Sequence, residues 1–148
     1  MANTPCPPSR TPSTHWVPLA GQAEPLAVAR EQVRILLADV ASCVDDAVLI
    51  ASELVGNAVR HTAGGPDCLA IEIDADQVVV TVHDAGDDHG DVRVPAPSER
   101  DPLAESGRGL WLVEMLTRRW YVENTATGKA VVAVLPRREP VVSRAAGS

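Results

Sequence analysis

The feature that most constrains the fold is a change of hydrophobic period near residue 66. Between residues 26 and 61 apolar side chains recur every three to four positions, the spacing of an amphipathic helix. Between residues 68 and 83 they alternate with polar side chains, the spacing of a half-buried strand. One chain of 148 residues is about one domain long, so helices and strands must share one core. The pattern predicts an α+β fold.

Turn and helix-start residues give approximate boundaries for the elements. Pro25 suits the first turn of a helix, and Asp45 and Asp46 suit the start of a second one. The predicted strands span 15–20, 68–74, 77–83, 120–124 and 129–135, and the predicted helices span 25–41, 46–61 and 108–119. We expect a two-layer α/β sandwich in which helices cover one face of a mixed or mainly antiparallel sheet.

The segments outside these elements have compositions that disfavour a packed core. Residues 1–14 are rich in proline, serine and threonine and are predicted to form a flexible arm. Residues 15–136 form the predicted domain, and 137–148 a flexible tail. Residues 85–106 carry acids, glycines and prolines, and a loop this long in a compact domain is usually functional. We expect it to be a lid that orders when a ligand binds.

Composition excludes several classes of function. Twenty acidic and thirteen basic residues give a net charge of −7, which disfavours binding to nucleic acid or to an anionic membrane. No apolar run approaches the ~18 residues of a membrane-spanning helix, and no secretory signal is recognisable at the start. The three cysteines have neither disulfide-framework nor zinc-site spacing, which indicates reduced thiols and a cytoplasmic protein.

Three polar features stand out in the predicted elements, and each has an ordinary structural interpretation. Glu53, Asn57 and His61 form a stripe at the edge of the apolar face of the second helix, either lining a cleft or forming a polar flank. Asp84 continues the buried parity of the preceding valines, so it points into the core or caps a turn.

The third feature is a glycine-containing helix start, Ser106-Gly107-Arg108-Gly109-Leu110. Backbone N–H groups and the helix dipole at such a start favour a phosphate, although glycine is common at helix starts. Together the three features predict a nucleotide pocket that lacks the Walker motif.

The motifs resemble those of the GHKL, or Bergerat-fold, ATPases, a superfamily of histidine kinase-like ATPase domains. The segment from Glu53 to His61 is similar to the N-box, Asp84-Ala85-Gly86 to the first glycine box, and Gly107–Val113 to the second. Within the superfamily the chain is most similar to actinobacterial anti-sigma factor serine/threonine kinases. The resemblance covers residues 16–136.

The resemblance implies ATP and Mg²⁺ as cofactors and assigns roles to matching positions. Asn57 would hold Mg²⁺, Asp84 would accept a hydrogen bond from the adenine amino group, and Glu53 would be the general base. The other implied nucleotide-binding residues are Arg60, His61, Gly86, Gly107, Arg108, Gly109 and Leu110.

Two positions depart from the family pattern. Asp88 replaces the second glycine of the first glycine box, and Ala130 lacks the hydroxyl of a threonine common near the adenine. Both departures bear on nucleotide affinity more than on the fold.

The resemblance leaves three functional readings open. The first is a kinase that binds a sigma factor or phosphorylates an anti-sigma factor antagonist, and the second is a non-catalytic ATP-binding switch. The third, a detached sensor histidine kinase domain, is the weakest, because no upstream helix carries a phospho-accepting histidine and His15 lies in a proline-flanked, extended region. A homodimer is also expected, because Val79 and Thr81 lie on the sheet face away from the helices.

Overall fold

The computed structural model of the protein describes residues 13–61, 64–84 and 105–137, with the backbone alone for 105–110. The predicted arm up to residue 12, the predicted tail from residue 138 and most of the predicted lid lie outside these ranges. Gly86 and Asp88 lie outside them as well.

The described residues form a two-layer sandwich of five strands and three helices. In chain order the elements are β1 Ser13–Pro18, α1 Pro25–Leu36, α2 Val44–His61, β2 Pro66–Ile73, β3 Gln77–Asp84, α3 Glu105–Leu116, β4 Arg119–Asn124 and β5 Lys129–Pro136. The sheet order is β1-β2-β3-β5-β4, and all four neighbouring pairs are antiparallel. The α+β prediction is confirmed, and the sheet is antiparallel in these strands rather than mixed.

The core lies between the sheet and the helices, and β3 shows how the sequence builds it. Val78, Val80 and Val82 are buried under α2, whereas Val79 and Thr81 are half-buried on the other face. This alternation follows from the two-residue period of a strand. Each fully buried valine contributes on the order of 1.5–3 kcal/mol relative to an exposed one.

Three predicted helix boundaries differ from the structure by three residues or more, including the end of the third helix, which lies at Leu116 rather than near residue 119. The first helix ends at Leu36 rather than near residue 41, and tight turns follow in which Val40 donates to Leu37 and Cys43 to Val40. Leu37, Val40 and Cys43 are buried, so consecutive turns produced the same three-to-four-residue spacing as a helix. The third helix begins at Glu105, three residues early, which places an acid in its first turn where the helix dipole favours one.

The two ends of the sheet hold different structural features. At one end, called here the Asp84 end, β3 finishes at Asp84 opposite the first residue of β5, Lys129. The C-terminus of α2 lies at the same end, because β2 starts at Pro66, paired with Asp84, five residues after His61. At the other end, the hairpin end, a tight turn joins β2 to β3, with a backbone bond of 2.9 Å from Asp74 N–H to the Gln77 carbonyl.

The direction of α3 follows from its connection to β4. Directly after this helix, the Arg118 N–H donates to the Val134 carbonyl at 2.8 Å, towards the hairpin end. Twelve helical residues span about 18 Å. The N-terminus of α3 therefore lies towards the Asp84 end, and α3 packs against α2.

Candidate functional site

Three polar or charged side chains are buried among the described residues: Asn57, Asp84 and Lys129, exposed to 8%, 4% and 6%. Burial of such groups costs free energy unless partners compensate for the lost water. Asp84 and Lys129 are paired in register, and Asn57 lies one helical turn before the end of α2. All three therefore lie at the Asp84 end of the sheet. Two of them, Asn57 and Asp84, belong to the polar features predicted from the sequence.

Asp84 and Lys129 lie side by side on the helix-covered face of the sheet. Each continues the parity of buried valines, Val82 on β3 and Val131 on β5. Directly opposite residues in an antiparallel pair have Cβ atoms about 4.5–5.5 Å apart. Neither side chain is isolated from polar or electrostatic contacts. The register therefore places an acidic and a basic residue next to each other at the Asp84 end.

One carboxylate oxygen of Asp84 is a buried hydrogen-bond acceptor. The Oδ1 atom of Asp84 is buried and accepts no hydrogen bond from the described residues, although the carboxylate as a whole has another interaction. A buried acceptor atom of this kind is compatible with a ligand amine, which is the group predicted to reach it.

The polar stripe of α2 changes from buried to exposed along the helix. Asn57 is buried, Glu53 one turn earlier is half-buried, and Arg60 and His61 in the last turn are exposed. A polar stripe that is only a flank of an amphipathic helix would be exposed along its length. The burial of Asn57 therefore favours the cleft interpretation over the flank interpretation.

Gly56 leaves room for the side chain of Arg60 to fold back along α2. A Cβ atom at position 56 would lie 3.2 Å from Nη1 of Arg60, closer than most such contacts. Gly56 is itself buried in the middle of the helix, where glycine costs roughly 1 kcal/mol relative to alanine. The glycine thus allows the guanidinium group to lie against the helix beside the predicted metal ligand.

The predicted phosphate cradle lies in the first turns of α3. Gly107, Arg108, Gly109 and Leu110 are helical, and this helix N-terminus lies towards the Asp84 end. The first four N–H groups of a helix have no partner within it and carry partial positive charge. Because α3 begins at Glu105, these groups belong to about residues 105–108, which include Gly107 and Arg108 but not Gly109 and Leu110.

A family of known proteins matches most of the chain. Residues 22–135 match the family of histidine kinase-like ATPase domains. The chain belongs to this family. It is accordingly an ATP-binding protein of a kinase-like, regulatory type, as the resemblance of its motifs implied. No curated protein matches the sequence.

Sequence reasoning missed Lys129, although the sequence contains a signal for it. Lys129 is the only lysine in the chain, and the other twelve of its thirteen basic residues are arginines. A lysine is almost never buried without a partner. The neighbouring departure, Ala130, pairs with His83 and lies on the opposite face of the sheet from Asp84. The residue of this segment beside Asp84 is therefore Lys129, not Ala130.

The donor chemistry of the site is compatible with Mg²⁺. No group of three or more His, Cys, Asp or Glu residues suited to a metal occurs in the described segments. Mg²⁺ does not require one, because it commonly takes one or two protein oxygens together with waters and substrate phosphates. The carboxamide oxygen of Asn57 is a ligand of this type.

The two free cysteines among the described residues are buried or half-buried. Burial raises the pKa of the Cys43 thiol above its ordinary value of 9.0. The pKa of the Cys68 thiol is also raised, mainly by burial and to a smaller extent by the negative charge of Asp67. Thiols of this kind are poor nucleophiles near neutral pH.

Across the described ranges, every helix is too short or too polar to cross a bilayer.

Proposed function

We propose that this ATPase domain is an Mg²⁺-dependent serine/threonine protein kinase that regulates a sigma factor. Its protein substrate is an anti-sigma factor antagonist, and it also binds the sigma factor itself. The observation that carries the proposal is the placement of Glu53 one helical turn before the buried Asn57 at the Asp84 end. This arrangement puts a half-buried carboxylate beside the predicted metal ligand, where a general base is needed.

The buried polar residues divide the recognition of ATP among three elements. Asp84 on β3 accepts a hydrogen bond from the adenine amino group. Asn57 on α2 would hold Mg²⁺, which would supply positive charge to the phosphates. The exposed Arg60 and His61 at the end of α2 and the free N–H groups in the first turn of α3, including that of Gly107, meet the phosphates.

Glu53 is the group of this chain that moves a proton. Its carboxylate accepts the proton of a serine or threonine hydroxyl on the substrate, and the hydroxyl oxygen forms a bond to the γ-phosphorus. The bond between the γ-phosphorus and the oxygen bridging to the β-phosphate breaks, and ADP leaves with that oxygen. The products are ADP and a phosphorylated protein, so phosphorus, charge and the proton are all accounted for.

The test is phosphate transfer from radiolabelled ATP to an antagonist protein encoded beside this chain. The kinase proposal predicts labelled antagonist that requires Mg²⁺ and disappears in Glu53→Gln. ATP binding without transfer would replace the kinase by a non-catalytic switch. A detached histidine kinase domain is disfavoured, because His15 lies in the edge strand β1 rather than on a helix.

A homodimer formed through the open sheet face is also part of the proposal. The middle register of that face reads Trp16, Ala70, Thr81, Val132 and Tyr121 across the five strands. Small side chains thus lie between two aromatic residues on the edge strands, and they line a groove of about 270 Å³. No described helix covers this face, so a second copy of the chain is the occupant that we propose.

Trp16 provides the test of the dimer. Its indole is 61% exposed and contacts the His83 ring at a centroid distance of 5.5 Å. We expect light scattering at high micromolar concentration to show a dimer for the native chain and a monomer for Trp16→Glu. Met115→Glu is the matched control, because Met115 is equally exposed, at 63%, but lies on α3. A native monomer at that concentration would reject the dimer.

We also propose that the protein is cytoplasmic.

A further inference from the structure

The only lysine of the chain is buried at the base-binding side of the site. Lys129 is 6% exposed, begins β5 and lies opposite Asp84 in the strand register. Elsewhere the chain uses arginine for each of its twelve other basic positions. A compact ammonium group donates from a single nitrogen, whereas the wide guanidinium fork of arginine needs more space.

The Asp84–Lys129 pair presents an acceptor next to a donor. The edge of adenine has the complementary order, because its 6-amino group donates and the adjacent N1 accepts. We propose that Lys129 is a base-recognition residue that donates a hydrogen bond to N1 while Asp84 accepts one from the 6-amino group. This inference rests on the proposed role of Asp84 and extends it to a residue that fixes the base preference.

A purely structural ion pair is the competing explanation for Lys129. In that case the ammonium group offsets the buried carboxylate and never contacts the nucleotide. The two explanations differ in one measurable respect. Only direct contact makes ATP binding depend on the N1 atom through Lys129, so the experiment must change N1 and Lys129 separately.

The experiment compares ATP with 1-deaza-ATP, in which a C–H group replaces N1. By calorimetry we expect the native protein to bind 1-deaza-ATP about tenfold to a hundredfold more weakly than ATP, the effect of a hydrogen bond to a charged group. We expect Lys129→Met to bind the two nucleotides equally. Equal binding by the native protein, or a preference that persists in Lys129→Met, would overturn the proposal.

A second measurement on the native protein is independent of whether Lys129→Met folds. Labelling with ¹⁵N-lysine gives a single side-chain ammonium signal, because the chain has one lysine. ATP is expected to shift this signal strongly and 1-deaza-ATP weakly. Equal shifts with the two nucleotides would contradict direct contact with N1.

Purine riboside triphosphate, which lacks the 6-amino group, separates this inference from the function on which it rests. Weak binding of this analogue confirms the role of Asp84, whatever the result with 1-deaza-ATP. If the native protein binds purine riboside triphosphate as tightly as ATP, the assignment of Asp84 fails and the Lys129 proposal fails with it. Kinase activity enters none of these measurements, so the phosphotransfer proposal is tested separately.

Discussion

The two ends of the sheet use polar residues in opposite ways. At the hairpin end the polar residues are exposed or half-buried and bond to nearby backbone. The Ala75 N–H donates to the Asp74 carboxylate at 2.7 Å, and Arg137 donates through Nη1 to the Asp74 carbonyl and through its N–H to the Asp76 carbonyl. At the Asp84 end, Asn57, Asp84 and Lys129 are buried instead.

The difference distinguishes polar residues that hold a turn together from polar residues that we propose to bind ATP. The more accessible groups at the hairpin end close a turn and join β5 to it, so we expect their loss to affect local stability only slightly. Buried groups at the Asp84 end cost free energy to desolvate, and under the proposed function a bound nucleotide would offset part of that cost. We therefore expect substitutions at the Asp84 end to affect ATP binding and turnover, and those at the hairpin end to affect neither.

The largest effect is expected from Glu53→Gln. Glutamine is nearly the same size and cannot accept the proton, so the phosphotransfer rate should fall by about 10²–10⁴. The dissociation constant of ATP should stay close to the native value. Glu31→Gln, at an exposed position of α1, is the control and should leave both quantities unchanged. A native transfer rate in Glu53→Gln would show that another group is the base.

Asp84→Asn is expected to give the next largest effect. The amide presents a donor where the adenine amino group needs an acceptor, which costs about 1–3 kcal/mol, or roughly 5- to 150-fold in the dissociation constant of ATP. The melting temperature should also fall, because Lys129 loses the charge beside it. Calorimetry below that temperature measures the affinity.

The matched control for Asp84→Asn is Asp74→Asn at the hairpin end. This substitution makes the same chemical change in a turn, where the Asp74 carboxylate accepts a hydrogen bond from a backbone N–H. We expect it to leave the affinity for ATP unchanged. Equal affinities of the two variants would remove the distinction between the two ends of the sheet.

Gly56→Ala should change stability and binding in opposite directions. Alanine raises the helix stability by about 0.8–1 kcal/mol, but its Cβ displaces Arg60, whose Nη1 lies 3.2 Å from that position. If the guanidinium meets the phosphates, ATP affinity falls about two- to fivefold, the range of an exposed charge pair. Denaturant unfolding and calorimetry measure the two effects, and Arg60→Ala should reproduce the loss of affinity alone.

The smallest effect is expected from Arg118→Ala at the hairpin end. Its Nη1 lies 4.0 Å from the Asp76 carboxylate, and both side chains are well exposed. An exposed pair of this kind contributes about 0–1 kcal/mol to the free energy of unfolding. ATP affinity should not change, and a clear loss of affinity would show that the hairpin end is coupled to the site.

Periodicity predicted the elements more securely than their ends. The alternation in β3 required a strand, and the burial of Val78, Val80 and Val82 confirms it. The helix period after Pro25 was equally clear, yet α1 stops at Leu36, because consecutive tight turns bury apolar residues at nearly the same spacing. Spacing alone does not distinguish these two backbone conformations.

The candidate site was partly predictable for a different reason. Parity along β3 predicted that Asp84 faces the core, since successive side chains of a strand alternate between faces. The burial of Lys129 depends on the register between β3 and β5, residues 45 positions apart, which local pattern does not encode. The presence of a single lysine was the available signal, and it was overlooked.

The most direct test of the account is a titration of the ¹⁵N-labelled native protein with Mg-ATP, followed by the amide resonances. We predict the largest shifts at the Asp84 end, at Asn57, Asp84 and Lys129, and almost none at Asp74 and Arg137. This result would locate ATP at the buried polar residues. Largest shifts at the hairpin end or on the open face would contradict the central claim that the buried polar residues form the nucleotide site.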